Sequence, residues 1–443
     1  MPLPPPASAE PGRPPDGRRP WLDRWLAANA DLAELHSSNP QVDAVIEEID
    51  GRRVRIGDRW LIDFASCNYL GFDLDREIIE AIPAYLDRWG THPSWSRMIG
   101  SPVLYEQLER ELVELLGAED VLILQTLTHI HAAVIPVLAG DGTIFIDGRA
   151  HKTIWDGCVV ARAHGATVRR FHHDDPEDLG RQLADDPGSP RLICMDGINS
   201  MTGNPPDLAA FSELARRHEA LLYVDDGHGF GVVGERAADE LSPYGKRGNA
   251  VVRHLGQSYD QVILTGGFSK AYSSMLAFIA CPSPMKQLLK IAAPPYLYSG
   301  PSPVASLASG LEGLKVNARR GDQLRASLYA KTRRVLDVLD RLGVYTLNSS
   351  GFPIIEVPMA DPDDLGKVGA IMYERGIYVT LAFYPGVPRD QVGFRLQLTA
   401  ANNDEEVDEL VEVLEELADS DLLRLREDQS AGHVSVPRLD PPR

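Results

Sequence analysis

Short apolar runs with strand character alternate with helical patterns from about Leu61 onward, and this alternation limits the possible folds more than any other feature of the chain. The runs that read as buried strands are Val121–Leu124, Thr143–Ile146, Arg191–Cys194, Ala220–Val224 and Gln261–Leu264. Strands separated by helices predict a mainly parallel sheet covered by helices on both faces. We therefore predict an α/β fold whose ligands bind beyond the carboxyl ends of the strands.

The rest of the chain divides by composition and periodicity. The predicted segments are a disordered tail (1–20), an N-terminal helix and small hairpin (21–60), a large domain (61–300), a smaller C-terminal α+β domain (301–426) and a second disordered tail (427–443). The tails are poor in residues that could form a core. Trp21 to Leu35 has apolar residues near helical spacing, and a long helical pattern runs from Val304 to about Leu342. Strand-like runs follow at 353–358, 377–380 and 394–398.

The charge and the cysteines restrict the partners and the compartment. The 443 residues carry a net charge of −20, which disfavours non-specific binding to nucleic acid or to an anionic membrane. No apolar run reaches the roughly 18 residues of a membrane-spanning helix, and the N-terminus lacks the pattern of a secretory signal. The four cysteines are scattered, so we expect reduced thiols, a cytoplasmic location and no bound metal.

Two of the predicted strands end in residues that carry chemistry. One is followed by Asp225, Asp226, a glycine and His228, and the other leads through Thr-Gly-Gly-Phe-Ser to Lys270. A lysine and a carboxylate at neighbouring strand ends suit pyridoxal 5'-phosphate (PLP), because the amine forms a Schiff base and the carboxylate keeps the pyridine nitrogen protonated. Spacing alone leaves Asp225 and Asp226 as alternatives for that carboxylate.

Several further segments, taken in order, resemble those of a known family. They are Phe64–Gly71, Ser96–Gly100 with Leu108–Glu109, Arg149–His151, Phe171–Asp174, Val224–Gly229, Phe268–Lys270 and Arg395–Ala400. From about residue 45 to residue 418 the chain is similar to the α-oxoamine synthases, fold-type I PLP enzymes that include 8-amino-7-oxononanoate synthase, 2-amino-3-ketobutyrate ligase and serine palmitoyltransferase. The resemblance implies a large domain with a mainly parallel sheet of the seven-stranded type, a smaller α+β domain, and a homodimer with active sites at the subunit interface.

The resemblance also assigns roles around the PLP ring. Lys270 would carry PLP and then remove the α-proton of the substrate, whereas an ordinary surface lysine is the alternative. Asp225 would face the pyridine nitrogen. His228, aided by Ser200, would hydrogen-bond the phenolic oxygen of the ring, and His151 would stack on the ring and help to position the acyl substrate.

The amino-acid substrate is expected to bind beside the ring. Arg395 would hold its carboxylate in a two-pronged geometry; the alternative is a strand-edge arginine that is paired with an acidic neighbour. Asn68 and Arg97 are further expected substrate-binding residues. His129 and His131 are interpreted as packing or pocket-lining residues without a role.

The phosphate end departs from the family pattern. In the loop after the first large-domain strand, the equivalent stretch Gln125-Thr126-Leu127-Thr128 lacks the family's glycine, and two family threonines are replaced by Gly267 and Gly300. The candidate phosphate-binding residues are Thr126, Leu127, Thr128, Thr265, Ser269 and Ser299. We expect that the phosphate is held differently from the family manner.

The expected reaction is a decarboxylative Claisen-type condensation of an α-amino acid with an acyl thioester, which gives an α-amino ketone. The thioester carrier is left open between coenzyme A and an acyl-carrier protein, and a specialised biosynthetic pathway is favoured. The alternatives are another fold-type I PLP reaction (an aminotransferase, aldolase or decarboxylase) and a non-catalytic partner subunit.

Overall fold

The computed structural model describes residues 20–27, 39–384 and 386–426. The predicted disordered tails lie outside these residues, apart from Pro20, which begins helix α1 (Pro20–Ala27). The rest of the predicted N-terminal helix, up to Leu35, also lies outside them. No helix in the described ranges is both long enough and apolar enough to cross a membrane.

The remaining elements follow in chain order. The strands are β1 (Ile46–Asp50), β2 (Arg53–Ile56), β3 (Arg59–Asp63), β4 (Asp120–Leu124), β5 (Thr143–Asp147), β6 (Thr167–Phe171), β7 (Arg191–Asp196), β8 (Leu221–Asp225), β9 (Val262–Gly267), β10 (Ala277–Cys281), β11 (Ile354–Pro358), β12 (Ile377–Tyr378), β13 (Thr380–Ala382) and β14 (Gly393–Gln397). The helices are α2 (Arg76–Trp89), α3 (Val103–Leu116), α4 (Leu127–Ala139), α5 (Lys152–Ala163), α6 (Pro176–Ala184), α7 (Leu208–Arg217), α8 (Ala250–His254), α9 (Ser283–Ala292), α10 (Pro294–Leu297), α11 (Val304–Arg341), α12 (Leu365–Glu374) and α13 (Asp404–Asp419).

The central feature is a seven-stranded sheet with the order β4-β10-β9-β8-β7-β5-β6. Strand β10 is antiparallel to both of its neighbours, whereas β5 to β9 pair in parallel. The carboxyl ends of β4, β5, β7, β8 and β9 therefore lie along one edge of the sheet. The predicted α/β fold with a mainly parallel seven-stranded sheet is confirmed.

Both faces of this sheet are buried, which explains the continuous apolar sequence of its strands. Ile123, Phe145 and Leu222 point into a core that also contains buried leucines of α3 and α11. Their strand neighbours Leu122 and Ile146 point the opposite way, into a second core with α4 and α5. Successive side chains thus serve two separate cores.

A second sheet, β11-β14-β13, is antiparallel and has one apolar and one polar face. Residues Val357, Phe394 and Leu381 are on the apolar face and are buried in the core. On the other face, Glu356 and Thr380 both stand opposite Arg395 in the strand register. This polar face is directed toward the large sheet, because the Arg395 guanidinium reaches the loop that follows β7.

The small N-terminal hairpin does not stand alone. Strands β1, β2 and β3 form a sheet with β12, which comes from the C-terminal part of the chain and pairs in parallel with β3. The run that was predicted as one strand at 377–380 is thus shared between two sheets, since Thr380 begins β13. The division into domains at residues 60 and 300 stays a prediction.

Candidate active site

The carboxyl edge of the large sheet surrounds a cavity of about 190 Å³. The lining residues are Thr126, Leu127, Thr128, His151, Thr153, Asp196, Ile198, Ser200, Asp225, Gly227, His228, Ser269 and Lys270. They come from the ends of β4, β5, β7, β8 and β9, which the parallel topology brings together. This is the position at which α/β sheets bind their ligands.

Lys270 lies beside Asp225 in this cavity, where the loop after β9 passes close to the loop after β8. A Cβ atom added to Gly227 would be 3.0 Å from Lys270 Nζ and 3.3 Å from Asp225 Oδ1. The backbone at Gly227 can come this near to both groups because glycine has no side chain. The predicted amine and a predicted carboxylate are therefore brought together on one side of the cavity.

The structure distinguishes the two neighbouring carboxylates. Asp225 lines the cavity, whereas Asp226 points away from it and accepts hydrogen bonds from the backbone N–H groups of Val251 (2.7 Å) and Gly229 (3.0 Å). Burial raises the pKa of Asp226 to about 7, although these backbone donors oppose the shift. Asp226 is thus a structural residue of the loop after β8, and Asp225 is the carboxylate that can meet a ligand.

Asp225 is supported by a histidine to which the sequence assigned no role. His131, in the second turn of α4, is completely buried and places its Nε2 2.9 Å from Asp225 Oδ2. Its Nδ1 lies 2.8 Å from the hydroxyl of Tyr223. Burial alone would raise the pKa of Asp225, but the neighbouring His131, followed by Lys270 and His151, holds it below the usual value. The cavity therefore contains an ionised carboxylate.

His228 shares a hydrogen bond with a buried tyrosine. The hydroxyl of Tyr69 lies 2.7 Å from Nδ1 of His228. Burial raises the pKa of Tyr69 well above its usual value, so the hydroxyl keeps its proton and can donate a hydrogen bond to Nδ1. Burial, and then the positive charge of Lys270, lowers the pKa of His228, so the ring is neutral. A neutral ring that accepts at Nδ1 carries its hydrogen on Nε2.

His151 begins α5 at the cavity wall and is anchored through its backbone. Its backbone N–H donates to Asp196 Oδ1 (2.9 Å), and its Nδ1 accepts from the backbone N–H of Thr153 (3.3 Å). Burial lowers the pKa of His151, although Asp225 opposes this shift. Burial, together with the charge of Asp225, raises the pKa of Asp196 well above the usual value. The pKa values of the two cavity carboxyl groups are thus shifted in opposite directions.

The N-terminus of α4 supplies anion donors at the other end of the cavity. Thr126 is the N-cap, and its hydroxyl accepts from the backbone N–H of His129 at 3.2 Å. The first N–H groups of a helix are free to bind an anion, and the helix dipole favours negative charge there. The backbone at Thr128 and the hydroxyl groups of Thr128 and Ser269 lie along the same wall.

Leu127 explains two of the sequence departures at this end. A Cβ atom on Gly267 would be 3.0 Å from Leu127 Cδ1, and one on Gly227 would be 2.8 Å from it. The leucine side chain thus fills the space that a threonine at position 267 would need. The changes at positions 127 and 267 are therefore sterically matched.

Arg395 lies at the rim of the cavity. Its Nη1 donates to the backbone oxygen of Ser200 at 2.6 Å and contacts the sulfur of Met201. The side-chain amide of Gln397, on the same face of β14, can accept from the guanidinium when its oxygen faces Arg395. The arginine is thus fixed next to a lining residue.

Besides Arg395 at the rim, four predicted site residues are not among those that line the cavity. Arg97 is buried and donates to the backbone oxygen of Ile123 (2.6 Å) and to Glu109 (3.1 Å), so its charge is used structurally. Asn68 binds Asp73 (3.0 Å) and Ser273 (2.9 Å) through its amide. The hydroxyl of Thr265 donates to the backbone oxygen of Val224 at 3.3 Å. Ser299 lies in the loop after α10, outside the cavity of its own chain.

Other residues of the site had weaker signals in the sequence. Asp196 is the last residue of β7, for which the sequence predicts only Arg191–Cys194. A predicted strand longer by two residues would have placed Asp196 at the same edge of the sheet as Asp225. His131 is a polar residue in an otherwise apolar helix, which could have marked it.

These residues fit PLP. The α4 N-terminus and the hydroxyl-bearing residues of the lining suit a phosphate, the ionised Asp225 suits a protonated pyridine nitrogen, and the Lys270 amine lies near Asp225. The glycine at position 227 leaves room beside the amine.

Comparison with known proteins agrees with this site. Residues 60–414 match the family model of aminotransferases of class I and II. The chain is 30% identical over 387 residues to 8-amino-7-oxononanoate synthase of Pseudomonas putida, with 87% of this chain and 94% of the relative covered. It is 29% identical over 372 residues to serine palmitoyltransferase of Bacteroides ovatus, with coverage of 83% and 90%.

Solved structures agree as well. The serine palmitoyltransferase of Sphingomonas wittichii superimposes with a TM-score of 0.81 at 25% identity, covering 89% of this chain and 97% of that one. A structure of SPT with PLP gives a TM-score of 0.81 at 22% identity, covering 90% and 98%. With the sequence matches along most of its length, the chain belongs to the α-oxoamine synthases, PLP-dependent enzymes of the class I and II aminotransferase family.

Proposed function

We propose that this enzyme condenses an α-amino acid with an acyl thioester and releases carbon dioxide, which gives an α-amino ketone. The observation that carries the proposal is the cavity that joins Lys270, Asp225, His151 and His228, with Arg395 at its rim. Relatives that carry the names of enzymes of this type match most of the chain, which supports it. PLP, when bound, supplies an electron sink for negative charge at the substrate α-carbon.

Lys270 and Asp225 have complementary roles in this proposal. The Lys270 amine would hold the cofactor and, once released by the substrate, remove the α-proton. Asp225 would present a fixed negative charge to the pyridine nitrogen, and His131 would keep that carboxylate ionised and oriented. Charge that is already in place needs no reorganisation when the α-carbon becomes negative.

The two cavity histidines would act as neutral groups. With Tyr69 as the donor to Nδ1, His228 would carry its hydrogen on Nε2 and would donate it to the phenolic oxygen of the ring. His151 would cover a face of the ring and contact the acyl substrate. Ser200, whose backbone oxygen is bound by Arg395, connects the ring site with the amino-acid site.

We further propose a homodimer in which Ser299 belongs to the site of the partner subunit. The loop that holds Ser299 is tied to the loop before α3 by a 2.8 Å contact between His92 Nε2 and the backbone oxygen of Pro301. Large apolar side chains on these loops are exposed, with Ile99 at 76% and Tyr298 at 80%. Exposed apolar surface of this kind is typical of a subunit contact.

The activity is tested with a panel of amino acids and acyl thioesters. We expect release of the free thiol and of carbon dioxide only when both substrates are present, and a product mass equal to the amino acid plus the free carboxylic acid of the acyl chain, minus CO2 and water. Acyl-CoA and acyl-carrier protein are compared at equal acyl chain length to identify the carrier. Product formation from an amino acid alone, or exchange of its amino group onto a keto acid, would replace the condensation with another PLP reaction.

His131 provides a test of the support for Asp225. Replacing His131 with phenylalanine removes the hydrogen bond to Asp225 Oδ2 and leaves only the backbone N–H of Gly227 as a donor, at Oδ1. We expect kcat to fall by about 10-fold to 100-fold, the usual cost of losing a residue that orients a reacting group. Tyr223→Phe removes only the hydrogen bond to the far side of the imidazole and should cost less. The measurement is kcat with the absorbance spectrum of the bound cofactor. Equal, small effects of the two changes would show that His131 does not support Asp225.

A further inference from the structure

Glu356 stands opposite Arg395 in the small sheet, and its carboxylate lacks hydrogen-bond partners among the described residues. The side chain is completely buried, and neither carboxylate oxygen has a hydrogen-bond partner among the described residues. Buried carboxylates normally have partners, because an unpaired one costs free energy. An unpaired carboxylate is therefore expected to have a partner in another state of the enzyme.

The strand register places Glu356 next to Arg395. The two residues are directly paired between β11 and β14, so their side chains stand on the same face of the sheet. Arg395 is at the same time bound to Ser200 at the cavity rim. Glu356 thus shares the face of the small sheet from which Arg395 reaches the cavity rim.

The charged groups around Glu356 come from three parts of the fold. Arg395 on β14 and Arg149 in the loop after β5 favour the ionised carboxylate, while Asp390 in the turn before β14 opposes it. Burial has the largest effect and raises the pKa of Glu356 to about 7. The carboxyl group of Glu356 can therefore gain or lose a proton near neutral pH when the charge near Arg395 changes.

We propose that Glu356 is a positioning residue that shares Arg395 with the carboxylate of the amino-acid substrate. When Glu356 is ionised, it neutralises Arg395 and repels the incoming carboxylate. When Glu356 is protonated, the positive charge of Arg395 is available to the substrate. The inference rests on the proposed function, since it takes Arg395 as the residue that binds the substrate carboxylate.

The expected consequence is coupled binding of substrate and proton. A substrate carboxylate at Arg395 favours protonated Glu356, so binding should take up protons near neutral pH. The affinity for the amino acid should fall as the pH rises through the pKa of Glu356. The chemical step does not involve Glu356, so the effect should be on KM rather than on kcat.

The test compares the wild-type holoenzyme with Glu356→Gln, which keeps the shape of the side chain but cannot ionise. The dissociation constant of the amino acid found in the substrate panel, with L-serine and L-alanine beside it, is measured from the cofactor absorbance. From about pH 6 to about pH 8.5 we expect the ratio of the wild-type to the variant constant to rise at least about fivefold. Other titrations at the site, which both proteins share, cancel in this ratio.

Arg395→Ala separates failure of this inference from failure of the proposed function. Loss of a charge-assisted contact should weaken amino-acid binding by about 10-fold or more. One outcome is that Arg395→Ala weakens binding while the ratio of the wild-type to the Glu356→Gln dissociation constant stays the same at all pH values. In that case Glu356 does not share the arginine, and only the inference fails. If Arg395→Ala leaves binding unchanged, the proposed carboxylate site fails, and the inference fails with it.

Two further measurements keep the inference testable if Glu356→Gln does not fold. Glu356→Met introduces an unbranched side chain that does not ionise. The ratio of the wild-type to the Glu356→Met dissociation constant should rise with pH in the same way. Calorimetry of amino-acid binding to the wild-type enzyme, in buffers with different heats of ionisation, should show net proton uptake near pH 7. Absence of uptake would contradict the proposal.

Discussion

Lys270→Ala is expected to reduce turnover by at least about ten-thousandfold, because the change removes both the group that holds the cofactor and the group that moves the α-proton. Lys270 is the one lysine among the described residues that line the cavity. Its amine lies beside Asp225, and the structure offers no second amine at that place within the described chain. The measurement is kcat for product formation, with borohydride reduction and mass spectrometry to locate the cofactor on the chain.

A matched control is Lys152→Ala. Lys152 follows His151 but has a side chain that is 73% exposed and paired with Asp156 on the surface of α5. We expect this variant to keep its activity within about twofold, because an exposed ion pair of this kind contributes little. A Lys270→Ala enzyme that still reacts at a tenth of the wild-type rate, or in which borohydride attaches the cofactor elsewhere, would contradict the assignment. Partial rescue by added methylamine would support the loss of an amine as the cause.

The large sheet was predictable because most of its strands are buried on both faces. The runs at 143–146 and 220–224 are continuous in apolar residues, and they agree with β5 and β8 to within one residue at each end. Strand β10 has the same buried character but was not recognised, and neither was β6, whose exposed arginines interrupt the apolar pattern. The long helix α11 was predicted from Val304 because its periodicity persists for 38 residues.

The site was predictable where function depends on the end of one strand, and less so where it depends on contacts between elements. Asp225 and Lys270 follow their strands directly. His131 acts through α4 packing beside β8, and helical spacing alone could not distinguish this contact from ordinary core packing. Arg97 is a predicted substrate-binding residue that the structure uses differently. Glu109, twelve positions along the chain, neutralises its charge within the fold.

Asp225 and Asp226 are adjacent buried carboxyl groups, but their surroundings shift their pKa values in opposite directions. Opposite shifts of this kind allow two carboxyl groups to have different roles. Burial opposes ionisation in both. At Asp225, His131 and Lys270 overcome this effect and lower the pKa. At Asp226, the backbone donors do not overcome it, and the pKa rises to about 7. Near neutral pH the negative charge is therefore retained at Asp225, which faces the cavity.

Asp225→Asn should reduce kcat by about a thousandfold, because the variant keeps the shape of the side chain but cannot place a negative charge against the pyridine nitrogen. Lys270 remains, so we expect the purified variant to contain a cofactor that borohydride can still attach to the chain. The loss should therefore appear in kcat, and in a changed absorbance spectrum, more than in cofactor content. An Asp225→Asn enzyme with near wild-type kcat would refute the assignment of this carboxylate.

Asp226→Asn is the matched control, since the two residues are adjacent and equally buried but differ in what they contact. Asp226 accepts from two backbone N–H groups, one at each carboxylate oxygen. An asparagine can accept at only one of these positions, so one buried donor loses its partner, and the free energy of unfolding should fall by about 1–3 kcal/mol. The kcat of the folded enzyme should stay within about threefold, because Asp226 does not reach the cavity. A large loss of kcat in Asp226→Asn with normal stability, and a small one in Asp225→Asn, would reverse the two roles.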